Sequence, residues 1–157
     1  MTKLSKGDKG ITNTLTKKNV RKSSDIIKTL AFLDEAVCFT GLLRTKIRPY
    51  TLNKNLENIQ LNIMSASAVL AGDKNSLKEL KEYTENLTKI ISQLEARLPK
   101  RHSFIVPGKN EQECLFNIVR TKIRTAETYC ASTKCSPVVK QFLNKASKYI
   151  YLLGIKV

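Results

Sequence analysis

Gly7-Asp8-Lys9-Gly10 puts two glycines, an acid and a cation into four residues. Glycines expose backbone N–H groups and a lysine adds charge, so a turn of this kind can cradle phosphate oxygens. Asp8 can close the turn or reach a metal carried on those phosphates. Alone, the tetrapeptide also fits a solvated turn. The phosphate loop GxxxxGKS/T is absent, because Gly108-Lys109 lacks the upstream glycine. Lys22 follows the same Gly- and Thr-bearing segment. A compact ammonium suits phosphate there, with an ordinary surface lysine as the alternative. Arg120, Arg124 and Glu127 are spaced i, i+4, i+7 and share one helical face. A guanidinium fork grips carboxylate or phosphate with two bonds. The plainer alternative is an intrahelical surface pair worth about 0.3–0.5 kcal/mol. Asp34 falls at the edge of an apolar stripe, where partial desolvation calls for a cation. His102 is the only histidine, and no partners are spaced to make a metal site with it. No nucleophile–histidine pair is found either.

The elements that must carry these residues read as helices behind a loop-like N-terminus. Residues 1–22 are polar and show no sustained period. Ser23 or Ser24 can cap a first helix, whose stripe is Ile26, Ile27, Leu30, Leu33, Val37 and Gly41. A second helix is expected from about Leu52 to Ala71, with Leu56, Ile59, Ile63 and Leu70 inside and Gly72 as its stop. Ser76-x-x-Glu79 reads as a capping box opening a third helix. Its Leu77, Leu80, Thr84, Leu87, Ile91, Leu94 and Leu98 recur in steps of three and four, a seam with one polar member. Pro99 ends it, and residues 99–109 form a basic connector. A fourth helix starts near Asn110, with Glu111 and Glu113 favourably placed in its first turn. Leu115, Ile118, Val119, Ile123, Ala126 and Tyr129 form its packing face. Ser136-Pro137 opens the last helix, which carries Val139, Phe142, Leu143, Ala146 and Ile150. The expected fold is an all-α five-helix bundle, one domain over 1–157 with a loop over 1–22 and the bundle over 23–157. No strand of convincing alternation is present.

The bulk composition fits this. The 157 residues are 41% hydrophobic, enough for a core, and no apolar run approaches a membrane span. The first residues are polar, with no secretory h-region, so a cytoplasmic protein is expected. Cys38, Cys114, Cys130 and Cys135 are scattered and form no CxxC pair. We expect reduced thiols, with Cys38, Cys114 and Cys130 at or beside apolar positions, and no zinc site from Cys130 and Cys135. The net charge is +15. Residues 1–22 hold seven Lys/Arg against one Asp, and residues 131–157 hold five Lys and no acid. Such a field attracts polyanions generally. A nucleic-acid function is disfavoured, because the lysines are spread over all elements and no helix-turn-helix or aromatic-rich basic face is present.

The fragments, taken in order, resemble the PduO-type ATP:cob(I)alamin adenosyltransferase family. From Gly7 to Gly41 the chain aligns without a gap to the family's TGDKG, GG.RVSKDD and DELN..IG patterns, matching Gly7, Asp8, Lys9, Gly10, Val20, Lys22, Asp34, Glu35, Phe39 and Gly41. Arg120, Arg124, Ala126 and Glu127 match R-T/A-x-x-R-R-A-E. Ser103-Phe104-Ile105-Val106-Pro107-Gly108 is similar to SFILPGG, and Leu143-Asn144 to the start of the family's LNR motif. The resemblance implies that Gly7, Asp8, Lys9, Gly10 and Lys22 hold the triphosphate of ATP. It implies that Arg124 pairs with Asp34 at a subunit boundary of a homotrimer, beside the ATP, and that Arg120, Glu127 and Asn144 belong to the nucleotide site. Phe104 would lie beneath the corrin ring in place of the lower axial ligand; its alternative is a loop plug at the bundle end. The implied reaction transfers the 5′-deoxyadenosyl group of ATP to cob(I)alamin with Mg²⁺ on the phosphates. The chain departs from the family at Lys6, Thr16-Lys17, Asn19, Val37, Lys109, Thr125 and Lys148. A homologue that binds nucleotide or B12 without turnover is the alternative.

Overall fold

Buried positions spaced three or four apart decide the architecture. In the third helix Leu80, Thr84, Leu87 and Ile91 are buried. Thr84, the polar member of that seam, donates its hydroxyl to the Leu80 carbonyl at 2.7 Å and so costs no unpaired group. In the computed structural model, which describes residues 4–98 and 106–155, five such helices pack together: α1 Asp25–Lys46, α2 Tyr50–Ala71, α3 Ser76–Arg97, α4 Glu111–Ala131 and α5 Pro137–Gly154. The all-α five-helix expectation holds. The helices close a ring, α1 against α2 and α4, α5 against α4 and α3, and α3 against α2, with α2 also touching α5 across it. The core runs through Leu33, Leu43, Ile59, Leu87, Phe116, Ile123, Phe142 and Ile150. No helix among the described residues is long and apolar enough to cross a membrane.

Several local expectations are corrected. Ser76-x-x-Glu79 is not a capping box, because Ser76 already lies inside α3. Asp73 does the capping: its carboxylate accepts from the Asn75 N–H at 2.9 Å, the Ser76 N–H at 3.2 Å and the Ser76 hydroxyl at 2.6 Å. These bonds hold the Asp73 carboxyl below its usual range, the Ser76 hydroxyl contributing most. Ser24 stands at the N-cap of α1, but its hydroxyl turns back to the Arg21 carbonyl at 2.7 Å instead of capping. The N-terminal segment also contains a small antiparallel ribbon, β1 Ile11–Thr12 paired with β2 Val20–Arg21, too short for sequence alternation to register. The cap at Ser136 forms as expected, accepting from the Val138 N–H at 3.3 Å, and Asn110, near which the fourth helix was expected to start, caps α4 by accepting from the Glu113 N–H at 2.8 Å.

Two close approaches set how the parts meet. Gly72 ends α2 at φ 116°, and a Cβ there would overlap the Thr16 side chain. Thr16 also donates to the Ala71 carbonyl at 3.4 Å, so the N-terminal segment rests on the α2–α3 turn. Between α1 and α2, Arg44 reaches Asn53 (3.1 Å), Gln60 (2.9 Å) and Glu57 (2.9 Å), a polar clamp that periodicity did not announce. Cys38 is exposed, not packed. Cys130 is buried as expected, but it is not isolated: the Cys135 sulfur lies 3.0 Å away.

Candidate functional site

Gly7–Lys9 folds as a single 3₁₀ turn closed by Gly10 at φ 70°. Only a residue tolerant of the left-handed region fits there, which is why glycine stands at position 10. The turn spends the N–H groups of Lys9, Gly10 and Ile11 on the carbonyls of Lys6 and Gly7. Asp8 takes the first of its two sequence-level roles: its Oδ2 accepts the Ser5 N–H at 2.7 Å and closes the turn. That bond, aided by the nearby Lys22 charge, keeps the carboxyl ionised below its usual range. Lys22 is brought to the same place. Its N–H donates to the Gly10 carbonyl at 2.8 Å, and its ammonium stands 3.5 Å from where a Gly7 Cβ would be. A Cβ at Gly7 would meet that ammonium in ordinary van der Waals contact. Residues 15 positions apart therefore make one cationic turn, as the sequence suggests.

The second group gathers on α4 and α5. An Arg124 Nη lies 3.9 Å from Glu127 Oε2, and the Asn144 amide donates to Glu127 Oε1 at 3.0 Å. Glu127 thus links an arginine of α4 to an asparagine of α5. Arg120 donates to the Asn117 side chain at 3.3 Å. Arg120 and Arg124 line a shallow hollow of about 340 Å³ with Thr121, Thr125, Thr128 and Tyr129. Thr125, where the family pattern has a second arginine, spends its hydroxyl on the Thr121 carbonyl at 3.0 Å.

Asp34 behaves differently from its expectation. It is exposed on α1, not desolvated, and makes no hydrogen bond or ion pair among the described residues. Position 34 points away from the buried line of Leu33, Ala36 and Thr40, so one chain alone does not cover it. Arg124 answers Glu127 within the chain rather than Asp34. The α1–α4 contact is made by other residues. Phe32 stacks on Tyr129 with centroids 5.6 Å apart and planes 8° from parallel. Lys28 lies over the Tyr129 ring at 5.1 Å, and Lys122 pairs with Glu35 while sitting 5.6 Å over Phe32. Phe104 and His102 lie outside the described residues.

Glu113 is a residue whose role sequence reasoning undervalued. It is nearly buried, and its Oε2 accepts the N–H groups of Gly108 (3.2 Å) and Lys109 (2.8 Å). With Asn110 accepting the Glu113 N–H, the pair ties the end of the α3–α4 connector to α4. The spacing Asn110-x-x-Glu113 was the available signal. Among the described residues no group of three or more His, Cys, Asp or Glu side chains could hold a metal. Lys22 at the Gly7–Gly10 turn, and Arg120 and Arg124 on α4, are cations that could meet anionic oxygen.

The chain is similar to known proteins over most of its length. The corrinoid adenosyltransferase PduO of Citrobacter freundii is 29% identical over 157 residues, spanning 94% of this chain and 47% of the relative. PduO of Salmonella typhimurium is 27% identical over the same shares. The chain therefore spans about half the length of these curated relatives. A variant PduO-type ATP:corrinoid adenosyltransferase of Lactobacillus reuteri, solved with cobalamin and ATP, shares the fold at a TM-score of 0.80 and 22% identity, over 94% of this chain and 88% of that one. Another variant of it, solved with ATP, gives 0.76 and 21% over 94% and 89%. The family model described as cobalamin adenosyltransferase matches residues 2–157, and to that family this chain belongs.

Proposed function

We propose that this chain transfers the 5′-deoxyadenosyl group of ATP to cob(I)alamin, releasing triphosphate and forming adenosylcobalamin. The observation that carries the proposal is the convergence of Lys22 on the Gly7–Gly10 turn, in a chain whose whole length matches the family. The reduced corrinoid, when bound, would supply the nucleophile that attacks C5′ of ATP and expels triphosphate, so no protein base is required. The chain's task is to hold and orient. Lys22 and Lys9 set positive charge where the leaving triphosphate would rest, and charge placed there in advance costs no reorganisation during reaction. Arg120 and Arg124 add a second cationic edge, with Glu127 fixing the Arg124 head and Asn144 orienting Glu127. Mg²⁺ would ride on the phosphate oxygens with its own waters, which suits a site with no acidic cluster of its own among the described residues.

Asp34 completes the proposal. An exposed carboxylate on α1 and an exposed guanidinium on α4 suit pairing between copies, so we take the working unit as a homotrimer in which Asp34 of one chain meets Arg124 of the next. Phe104 is assigned to the corrinoid side. We take residues 1–157 as one domain acting in the cytoplasm. The test is to add ATP to the chain with cobalamin under strong reductant and follow the corrinoid spectrum. Conversion to the alkylcobalamin spectrum is expected, and an unchanged Co(I) spectrum would overturn the proposal.

A second reading is favoured by two contacts. Lys148 stands where the family motif has an acid and is engaged by Glu95 of α3 at 2.8 Å. Thr16 fills the space over Gly72 at a position where the family has glycine. On this second reading the chain binds nucleotide or corrinoid without turnover. ATP or cobalamin would then raise the melting temperature while no product forms.

A further inference from the structure

Cys130 and Cys135 are five residues apart, yet the turn between α4 and α5 brings their sulfurs to 3.0 Å. Both are thiols. Cys130 is fully buried in the last turn of α4, and Cys135 is half-buried just before Ser136, which caps α5. The intervening backbone is held on several sides. Thr133 gives its N–H and its hydroxyl to the Cys130 carbonyl at 3.1 and 2.8 Å. Ser132 donates to the Tyr129 carbonyl and to Asp25 of α1. Lys140 of α5 reaches back to the Ala131 carbonyl at 3.0 Å. The two sulfurs are therefore held in contact by a fixed turn. A bonded pair sits at about 2.05 Å, so closing the gap takes a shift of about 1 Å, within reach of χ1 rotation.

The two thiols differ in character. Burial pushes the Cys130 thiol up to about 12, with the Cys135 contact adding to the rise, so it stays protonated. Cys135 is the more accessible of the two and directly follows Lys134 in sequence. Partial exposure is what lets an oxidant reach a cysteine. Cys38 and Cys114 have no second sulfur beside them among the described residues.

The geometry points to Cys130–Cys135 as a reversible thiol/disulfide modification site whose oxidant is a peroxide. The Cys135 thiolate attacks one peroxide oxygen and breaks the O–O bond, leaving a sulfenic acid and, after protonation, one water. Cys130 sulfur then displaces hydroxide from the Cys135 sulfur, and the Cys130 proton leaves with that hydroxide as a second water. The pair loses two electrons and the peroxide gains them. A thiol reductant reverses the bond by exchange. The product ties the last turn of α4 to the cap of α5, the two helices that Glu127 and Asn144 already join.

The test uses the full native chain. It is exposed to hydrogen peroxide, blocked with maleimide and cut with trypsin. Cleavage after Lys134 separates the two cysteines, so their peptides stay together only if bonded. The expected result is one joined species two hydrogens lighter than the sum of its parts. Titratable thiols should fall from four to two, and dithiothreitol should restore them. The Cys38→Ser/Cys114→Ser chain should give the same joined species, its titratable thiols falling from two to none, and Cys135→Ser should abolish the joined species while circular dichroism stays unchanged. Oxidation at Cys38 alone, a joined species formed only in denaturant, or sulfinic acid on Cys135 without a bond would each overturn the assignment.

Discussion

Gly72→Ala is the most informative single change, because two separable effects meet there. The backbone at Gly72 has φ 116°, a region that a side chain enters at a cost of about 1–3 kcal/mol. The added methyl would also overlap the Thr16 side chain, which must then leave and give up its contact with Ala71. That contact is long and exposed, so its loss with the local repacking adds about 1 kcal/mol. Together the substitution should cost about 2–4 kcal/mol and lower the melting temperature by on the order of 5–15 °C. Thr16→Gly removes the clash but not the backbone strain. In urea denaturation the double variant should therefore be about 1 kcal/mol more stable than the sum of the single effects predicts. Additivity within about 0.5 kcal/mol would refute the docking of the N-terminal segment on the α2–α3 turn. ATP affinity read on the same variants asks whether that docking also presents the Gly7–Gly10 turn to nucleotide.

Gly154→Ala should destabilise by about 1–3 kcal/mol, because the new Cβ would stand 2.9 Å from the Phe116 Cβ in a buried contact; chemical denaturation measures it. Lys22→Ala should weaken ATP binding roughly tenfold, seen by calorimetry, with helix content unchanged. Asp73 carries a pH prediction. Its folded carboxyl titrates below the unfolded value of about 3.9, so its stabilisation is full above that pH and disappears as pH falls through the folded value. Asp73→Asn should accordingly lower the melting temperature at neutral pH and flatten its fall in acid, followed by circular dichroism between about pH 2.5 and 5.

Asp34 shows where reasoning along one helix stops. Its spacing from Leu33 and Leu30 placed it at a stripe edge, but which edge a neighbouring helix covers depends on how α1 rolls against α2 and α4. In the fold, Phe32, Glu35 and Phe39 take the α4 side, and Asp34 is left to solvent within the single chain. Glu113 shows the opposite case: its spacing from Asn110 held the signal, and only the chain reversal at Gly108 reveals which N–H groups its carboxylate collects.

The buried line of α1 is Thr29, Leu33, Ala36, Thr40 and Leu43, sharing only Leu33 with the expected stripe, whereas the order of five helices, the seams of α2 to α5, the cap at Ser136 and the stop at Gly72 were written in the sequence by itself. These depend on contacts within a few residues and on a period of 3.6, both properties of the linear chain. Lys22 reaches Gly7 through the β1–β2 reversal, which no periodicity foretold. Only the tertiary structure decided that Asp73 caps α3, that Thr16 seats on Gly72, that Glu127 bridges to Asn144 and that two scattered cysteines touch. Each of those needs backbone reversals or helix pairings between residues distant along the chain or turned by a loop, and side-chain periodicity carries no information about where a reversal aims.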